Sequence, residues 1–127
     1  FRRVLFRSTD NYNIFTDPKL DIETNLLVLI SNLEILRTRF STFEFNFISS
    51  WFVYGTGSKP PFLESSCCAP KGFYSITKHA AELLVESYCK TYKIPFRVLR
   101  LANVFGPGDS GVSNKKNALQ YIVNKIK

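Results

Sequence analysis

The chain has 127 residues, enough for one ordinary domain and too few for two. Apolar residues make up 45% and charged residues 21%, which is typical of a folded globular protein and excludes a disordered one. The longest aliphatic run, Leu26 to Ile30, is far shorter than the roughly 20 residues of a membrane span, so we expect no membrane partner. The three cysteines are odd in number and form no C-x-x-C pair. We therefore expect no disulfide framework, no metal site and a reducing, cytoplasmic setting.

The formal net charge of +7 raises the question of an anionic partner. Basic and acidic residues are interspersed through most of the chain, but no acidic residue follows Asp109. Lysines at 115, 116, 125 and 127 make that last stretch basic. A local basic patch of this kind fits a phosphorylated small molecule as well as it fits DNA, and we expect no nucleic-acid partner.

The first eight residues, FRRVLFRS, differ in character from the rest of the chain. They do not begin with Met and lack the apolar core of a signal peptide. We expect residues 1–8 to be a non-native leader that resembles a translated sequencing adapter, and residues 9–127 to form a single partial domain cut from a longer protein.

The periodicity of apolar residues predicts seven segments along the chain. In order these are helix 21–39, strand 45–49, a turn-rich segment 54–72, helix 74–92, strand 96–105, loop 106–113 and helix 117–127. Asp17-Pro18 or Asp21 can begin the first helix, whose apolar face holds Leu26, Leu29, Ile30, Leu33 and Leu36. In helix 74–92 we expect Ile76, Ala80, Leu83, Leu84 and Ser87 to face the core, with His79, Glu82, Glu86 and Lys90 on the outside.

The alternation of helices and strands predicts an α/β fold. Neither strand shows clean polar alternation, which is expected when both faces of a sheet are covered. Two strands joined through a helix form a parallel, right-handed crossover. The fold class is therefore a partial, Rossmann-like, doubly wound parallel sheet. We expect the glycine-rich βαβ unit that precedes it, and the substrate domain that follows it, to lie outside this sequence.

Residues 106–111, GPGDSG, match the dinucleotide-binding pattern G-x-G-x-x-G and follow a predicted strand. That pattern must open a helix and be followed about 20 residues later by an acid that binds ribose. Pro107 and the polar residues after Gly111 do not open a helix, and no acid follows. We interpret this segment as a glycine-rich connection.

Tyr74 and Lys78 form a Tyr-x-x-x-Lys pair, which lies on one face of a helix. An ammonium beside a phenol favours the phenolate, so the phenol can accept and donate a proton near neutral pH. Tyr121 and Lys125 have the same spacing, and we interpret that second pair as a solvated helix face. Tyr74 differs because it opens its helix after a loop, and because Ser50 ends the preceding strand.

The chain resembles the extended short-chain dehydrogenase/reductases, specifically the NAD-dependent nucleotide-sugar epimerases and dehydratases. The resemblance covers residues 17–127 and rests on motifs in the family's order and spacing. These are DPKLDIETN, FISSWFVYG, PKGFYSITKHAAE and RVLRLANVFGPGD.

The resemblance implies a catalytic group of Ser50, Tyr74 and Lys78. Tyr74 would be the acid/base, and Ser50 would hydrogen-bond the reacting sugar oxygen. Lys78 would hold the ribose of an NAD cofactor, or of NADP, with Tyr74 and Ser49 also against the cofactor. Hydride would leave a sugar carbon and return to its other face, which is the chemistry of an epimerase.

The resemblance also implies residues that contact the nucleotide-sugar substrate. These are Ser50, Asn103 and Asn117, with Lys115 and Lys116 adding charge beside Asn117. Asn25 matches an asparagine on a family helix, either with a role at the site or with a structural hydrogen bond. We expect His79 to be a surface residue.

Trp51 and Phe52 depart from the family pattern, because dehydratases carry an Asp-Glu pair there. Elimination of water needs an acid and a base in addition to the tyrosine, and two aromatic rings cannot supply them. We therefore expect a nucleotide-sugar epimerase. The alternatives are a reductase of a keto nucleotide sugar, and a non-catalytic nucleotide-binding member of the fold. The whole protein is expected to be a homodimer.

Overall fold

A computed structural model describes residues 17–57 and 59–103. Its elements, in chain order, are α1 (Pro18–Ile22), a π-helical turn (Glu23–Leu27), α2 (Val28–Arg39), β1 (Phe45–Ser50), a 3₁₀ turn (Trp51–Tyr54), α3 (Phe73–Thr91) and β2 (Phe96–Leu101). The order of helices and strands agrees with the sequence prediction. The leader, the glycine-rich segment 106–111, helix 117–127 and the pair Tyr121 and Lys125 lie outside the described residues.

The first helical segment begins at Pro18, three residues before the predicted start at 21. The Asp17 side chain accepts a hydrogen bond of 3.1 Å from the backbone N–H of Lys19, and Pro18 occupies the first helical position, where its missing N–H costs nothing. The π-helical turn interrupts the segment around Asn25. Apolar spacing did not reveal this turn, because one wider turn leaves the buried stripe almost unchanged.

β1 and β2 pair in parallel, from Phe45 opposite Phe96 to Ser50 opposite Leu101. The chain passes from one strand to the other through α3, and this crossover confirms the α/β class. β2 ends at Leu101 rather than at 105, because β1 leaves the ladder after Ser50 and offers no further partner. The register places the carboxyl ends of both strands at the same edge of the sheet.

The hydrophobic core lies between the sheet and the pair α2 and α3. Its buried members come from all three elements: Leu29, Leu33, Phe47, Ala81, Val85 and Cys89. On the other face of the sheet, Leu99 and Leu101 are 41% and 42% exposed. Within residues 17–57 and 59–103, only one face of the sheet is therefore covered, whereas the sequence predicted cover on both.

The predicted orientation of α3 is wrong. Ile76, Leu83 and Leu84 are exposed, whereas Lys78 and Glu82 are each 5% exposed. The face toward the sheet holds small or apolar residues together with polar residues that find partners on the strands. Counting apolar positions missed this arrangement, because a buried charge is tolerated when another element supplies its partner.

Among the described residues, no helix is long and apolar enough to cross a membrane. The same part of the chain holds no group of His, Cys, Asp and Glu side chains arranged to bind a metal ion. Its three cysteines are free thiols, and Cys89 lies in the core.

Candidate active site

The carboxyl end of β1 carries Ser50, the last residue of the strand. Its Oγ accepts a hydrogen bond of 3.4 Å from the backbone N–H of Phe52 and so caps the 3₁₀ turn that follows. Gly55 ends that turn with φ +53°, and a Cβ there would lie 1.9 Å from the backbone oxygen of Ala69. Glycine is therefore required where the loop of residues 55–72 is joined to the end of β1.

α3 presents Tyr74 in its first turn and Lys78 one turn later. The Ser75 hydroxyl donates a hydrogen bond of 2.7 Å to the carbonyl of Gly72 at the start of this helix. Tyr74 is half-buried, and Lys78 is buried. The two side chains share the helix face that packs on the sheet.

The Lys78 ammonium joins this helix face to β1. Its Nζ donates a hydrogen bond of 3.0 Å to the carbonyl oxygen of Ile48 and lies 4.7 Å from the centroid of the Phe47 ring. Ile48 precedes Ser50 by two residues. The structure thus brings the lysine of the Tyr-x-x-x-Lys pair to the strand end that carries the predicted catalytic serine.

Ser49 lies beneath this edge, 4% exposed, on the sheet face covered by α3. Its hydroxyl makes no hydrogen bond of normal geometry with any described group. It lies beside the Glu82 carboxylate, close enough to help lower the pKa of that group. Contact between Ser49 and a cofactor stays a prediction.

Asn103 follows β2 by two residues and is exposed. Its Oδ1 accepts a hydrogen bond of 3.4 Å from the indole N–H of Trp51, the residue after Ser50. This bond brings Asn103 to the same edge as the serine, with its amide N–H groups still able to donate. Asn117 lies outside the described residues, and its role stays a prediction.

Asn25 makes the structural hydrogen bond that was one of its two expected roles. Its Nδ2 donates to the Thr77 hydroxyl at 3.2 Å, and that hydroxyl donates to the carbonyl of Tyr74 at 2.9 Å. Its Oδ1 is buried and has no hydrogen-bond partner among the described residues. Asn25 therefore braces the turn of α3 between Tyr74 and Lys78, from a π-helical turn of the kind often found at functional sites.

Aromatic rings surround the strand end. Trp51 stacks on Phe52 with ring centroids 4.7 Å apart, and Tyr54 stacks on Phe62 at 4.6 Å. A cleft of about 310 Å³ adjoins the start of α3. It is lined by Phe52, Gly55, Lys71, Gly72, Phe73 and Ser75, which include a cation and no carboxylate.

Sequence reasoning missed the ion pair between Glu82 and Arg100. Arg100 Nη2 lies 2.8 Å from Glu82 Oε2, and Arg100 Nε lies 3.1 Å from Oε1. Burial opposes ionisation of Glu82, but hydrogen bonds led by that from Arg100 outweigh it and hold the pKa of Glu82 below its ordinary value. The four-residue spacing of Tyr74, Lys78 and Glu82, which puts all three on one face, was the signal available in the sequence.

His79, expected on the helix exterior, is half-buried beside this pair. Its side chain is 26% exposed, and Nδ1 lies 3.5 Å from Glu82 Oε2. The prediction of a surface position is wrong, because burial of Glu82 draws the neighbouring turn of α3 toward the sheet.

Comparison with known proteins agrees with this geometry. A family model described as "NAD dependent epimerase/dehydratase family" matches residues 9–127. The chain belongs to this family. The resemblance noted from the sequence motifs is thereby confirmed, and the family consists of enzymes that act on nucleotide sugars.

Relatives of known function in this epimerase/dehydratase family include both named activities. The human dTDP-D-glucose 4,6-dehydratase is 41% identical over 64 residues, which are 50% of this chain and 18% of the human protein. A probable UDP-glucuronate 4-epimerase of Rhizobium meliloti is 30% identical over 92 residues, 72% of this chain and 27% of the relative. The chain thus spans under a third of the length of either relative.

Two solved structures of the same fold contain cofactors. RMD from Pseudomonas aeruginosa, complexed with NADPH, is 31% identical with a TM-score of 0.76, over 84% of this chain and 37% of that one. The UDP-glucuronic acid 4-epimerase from Bacillus cereus, in complex with UDP-glucuronic acid and NAD, is 30% identical with a TM-score of 0.62. That match covers 68% of this chain and 27% of the epimerase.

The residues present fit a nicotinamide cofactor. The Lys78 ammonium is fixed at the carboxyl end of β1, where ligands of open α/β sheets bind. It carries two N–H donors beyond the one given to Ile48, and the Tyr74 hydroxyl can both donate and accept. Such a donor set suits the paired hydroxyls of a ribose.

Proposed function

We propose that the whole protein containing this chain is an NAD(P)-dependent epimerase of a nucleotide sugar. The observation that carries the proposal is the hydrogen bond from Lys78 to the carbonyl of Ile48, which seats the Tyr-x-x-x-Lys helix against the strand that ends in Ser50. Its free cysteines fit the reducing cytoplasm. Epimerase relatives at 30% identity support the same reading.

In this proposal each side chain has a separate task. Tyr74 removes the proton of a sugar hydroxyl and later returns it, and Ser50 hydrogen-bonds the same oxygen. Lys78 holds the cofactor ribose and stabilises the phenolate of Tyr74. Asn103 donates its amide N–H groups to the substrate. The bound nicotinamide supplies a reversible acceptor of hydride from the sugar carbon.

The two residues after Ser50 favour an epimerase over a dehydratase. Trp51 and Phe52 stack on each other and carry no titratable group. Epimerisation needs one acid/base and hydride transfer, which Tyr74 and the cofactor provide. Elimination of water needs further proton transfers, and the cleft beside the start of α3 has no carboxylate among its described lining residues.

Turnover of nucleotide sugars by the whole protein tests the proposal. The protein is incubated with NAD and with UDP- or dTDP-hexoses, and products are separated by chromatography. We expect a C4 epimer with no net change in NADH absorbance. Net consumption of reduced cofactor with a 4-keto sugar would identify the keto-sugar reductase instead. Binding of a nucleotide sugar without any turnover would identify the non-catalytic alternative.

We also propose that the whole protein is a homodimer. Ile76, Leu83 and Leu84 are 47%, 56% and 39% exposed on the outer face of α3. Three large apolar side chains on one helix favour burial against a second copy. Light scattering should give twice the mass of one chain, and Leu83→Glu should reduce it toward one. A monomeric mass for the unmodified protein would refute this.

A further inference from the structure

The ion pair between Glu82 and Arg100 is built as a fork. Three donor–acceptor distances of 2.8–3.2 Å join the guanidinium to both carboxylate oxygens. The Glu82 side chain is 6% exposed and the Arg100 side chain 22%. Paired, planar and largely desolvated groups of this kind fix geometry in a way that a single contact does not.

The pair lies one rung from the catalytic edge of the sheet. Arg100 is opposite Ser49 in the β ladder, and the next rung is Ser50 with Leu101. The Glu82 carboxylate lies over the Ser49 and Arg100 rung, because both side chains point to the face covered by α3. Glu82 is thus the third member of the face that begins with Tyr74 and Lys78.

Arg100 also reaches two segments outside the sheet. Its guanidinium carbon lies 4.9 Å from the centroid of the Tyr54 ring, in the turn that follows Ser50. Its Nη1 donates to the carbonyl of Glu64 at 3.4 Å, in the loop that leads to α3. One side chain therefore connects β2, α3, the 3₁₀ turn and the loop.

We propose that Glu82 and Arg100 are a positioning pair for the reaction, holding Ser50 at the end of β1 and Asn103 beyond β2 in place relative to Tyr74 and Lys78. The inference rests on the proposed function, because it concerns that same site. Neither residue of the pair touches the reacting atoms. Each acts through the residues whose place it sets.

The chain offers a matched control in the ion pair between Glu44 and Arg97. Their side chains are 2.7 Å apart and join the amino ends of the same two strands. Both are exposed, at 40% and 68%, so the pair is screened by water and contributes little. Comparison of the two pairs separates loss of charge between the strands from loss of geometry at the site.

The experiment compares four variants of the whole protein with NAD bound: Glu82→Gln, Arg100→Lys, Glu44→Gln and Arg97→Lys. For the first two we expect kcat to fall about 10- to 100-fold in the folded fraction, with KM changed about threefold or less, because small displacements at a site have effects of this order. For the two control variants we expect kcat within about twofold of the unmodified protein.

Amide hydrogen exchange of residues 48–54 gives a readout that needs no turnover. We expect faster exchange there in Glu82→Gln and Arg100→Lys than in the control variants. Should Glu82→Gln not fold, Arg100→Lys decides, because it keeps the charge and loses only the fork. Wild-type kcat and exchange in folded Glu82→Gln or Arg100→Lys would overturn the proposal. If the unmodified protein turns over no nucleotide sugar, the proposed function fails and the exchange comparison alone decides the positioning role.

Discussion

At the scale of single residues, the candidate site depends on contacts between side chains and backbone. Lys78 donates to the carbonyl of Ile48, Ser50 accepts from the N–H of Phe52, and the Thr77 hydroxyl, bound by Asn25, donates to the carbonyl of Tyr74. Backbone groups of β1 and α3 are held in place by their own ladders, so side chains fixed to them are also fixed. The tyrosine hydroxyl is thereby left to move a proton rather than to hold the structure.

Replacement of Tyr74 by Phe in the whole protein should lower kcat far more than it raises KM. The hydroxyl acts on the proton in flight, and positioned acid/base groups contribute roughly 10²–10⁴-fold to rate. Tyr121→Phe is the matched control, since Tyr121 has the same spacing to a lysine, and it should change kcat little. Steady-state kinetics measure both variants, and equal losses from the two would remove Tyr74 from its proposed role.

At the scale of elements, α2 and α3 show what apolar spacing can predict. In α2 the predicted face is confirmed, with Leu29 and Leu33 buried. In α3 the prediction inverted the helix, because the side chains that decide its orientation are polar and their partners lie on the strands. Lys78 is bound by a carbonyl 30 residues away, and Glu82 by a guanidinium 18 residues away. Local spacing contains no information on such partners.

The two faces of α2 predict a contrast in stability. Leu33 is fully buried, and Leu33→Ala should lower the free energy of unfolding by about 2–5 kcal/mol through lost contacts and a cavity. Ile35 is 48% exposed, and Ile35→Ala should change it by about 0.5 kcal/mol or less. Urea denaturation of the whole protein measures both. A loss from Ile35→Ala as large as that from Leu33→Ala would mean that this face of α2 is buried too.

The lowered pKa of Glu82 predicts how the contact between α3 and β2 responds to acid. A carboxylate whose pKa is lower in the folded state stabilises the fold above its unfolded pKa, which is near 4.5. That stabilisation is lost as the pH falls through the lower, folded value. The difference in melting temperature between the unmodified protein and Glu82→Gln should therefore be constant above about pH 5 and shrink below about pH 4. Thermal melts across this range measure it, and a difference unchanged down to pH 3 would show that Glu82 is not the group responsible.

At the scale of the whole molecule, the motifs predicted more than the periodicity did. The order of elements, the parallel crossover and the family all follow from short strings around Ser50, Tyr74 and Asn103. The second cover of the sheet could not be predicted from this chain, because Leu99 and Leu101 face away from every described helix. The choice of reaction is harder, since relatives at 30–41% identity include both a dehydratase and an epimerase.

That choice gives the prediction with the widest consequence: the whole protein should not dehydrate its sugar. Elimination across adjacent ring carbons needs one proton taken from carbon and one given to the departing hydroxyl. In the dehydratases that the chain resembles, carboxyls directly after the catalytic serine or threonine do this, and here Trp51 and Phe52 stack in those places. Glu64, the next acid along the chain, is on the loop whose carbonyl binds Arg100, away from the cleft beside α3.

Incubation with NAD and UDP- or dTDP-glucose should therefore give a C4 epimer or no reaction, with no product lighter by one water. Mass spectrometry follows that loss, and the human dTDP-D-glucose 4,6-dehydratase, assayed in parallel, shows that it would be detected. Accumulation of a 4-keto-6-deoxy sugar would mean that carboxyl groups from elsewhere in the protein reach the ring. The aromatic pair would then be a wall of the site and not the reason for its chemistry.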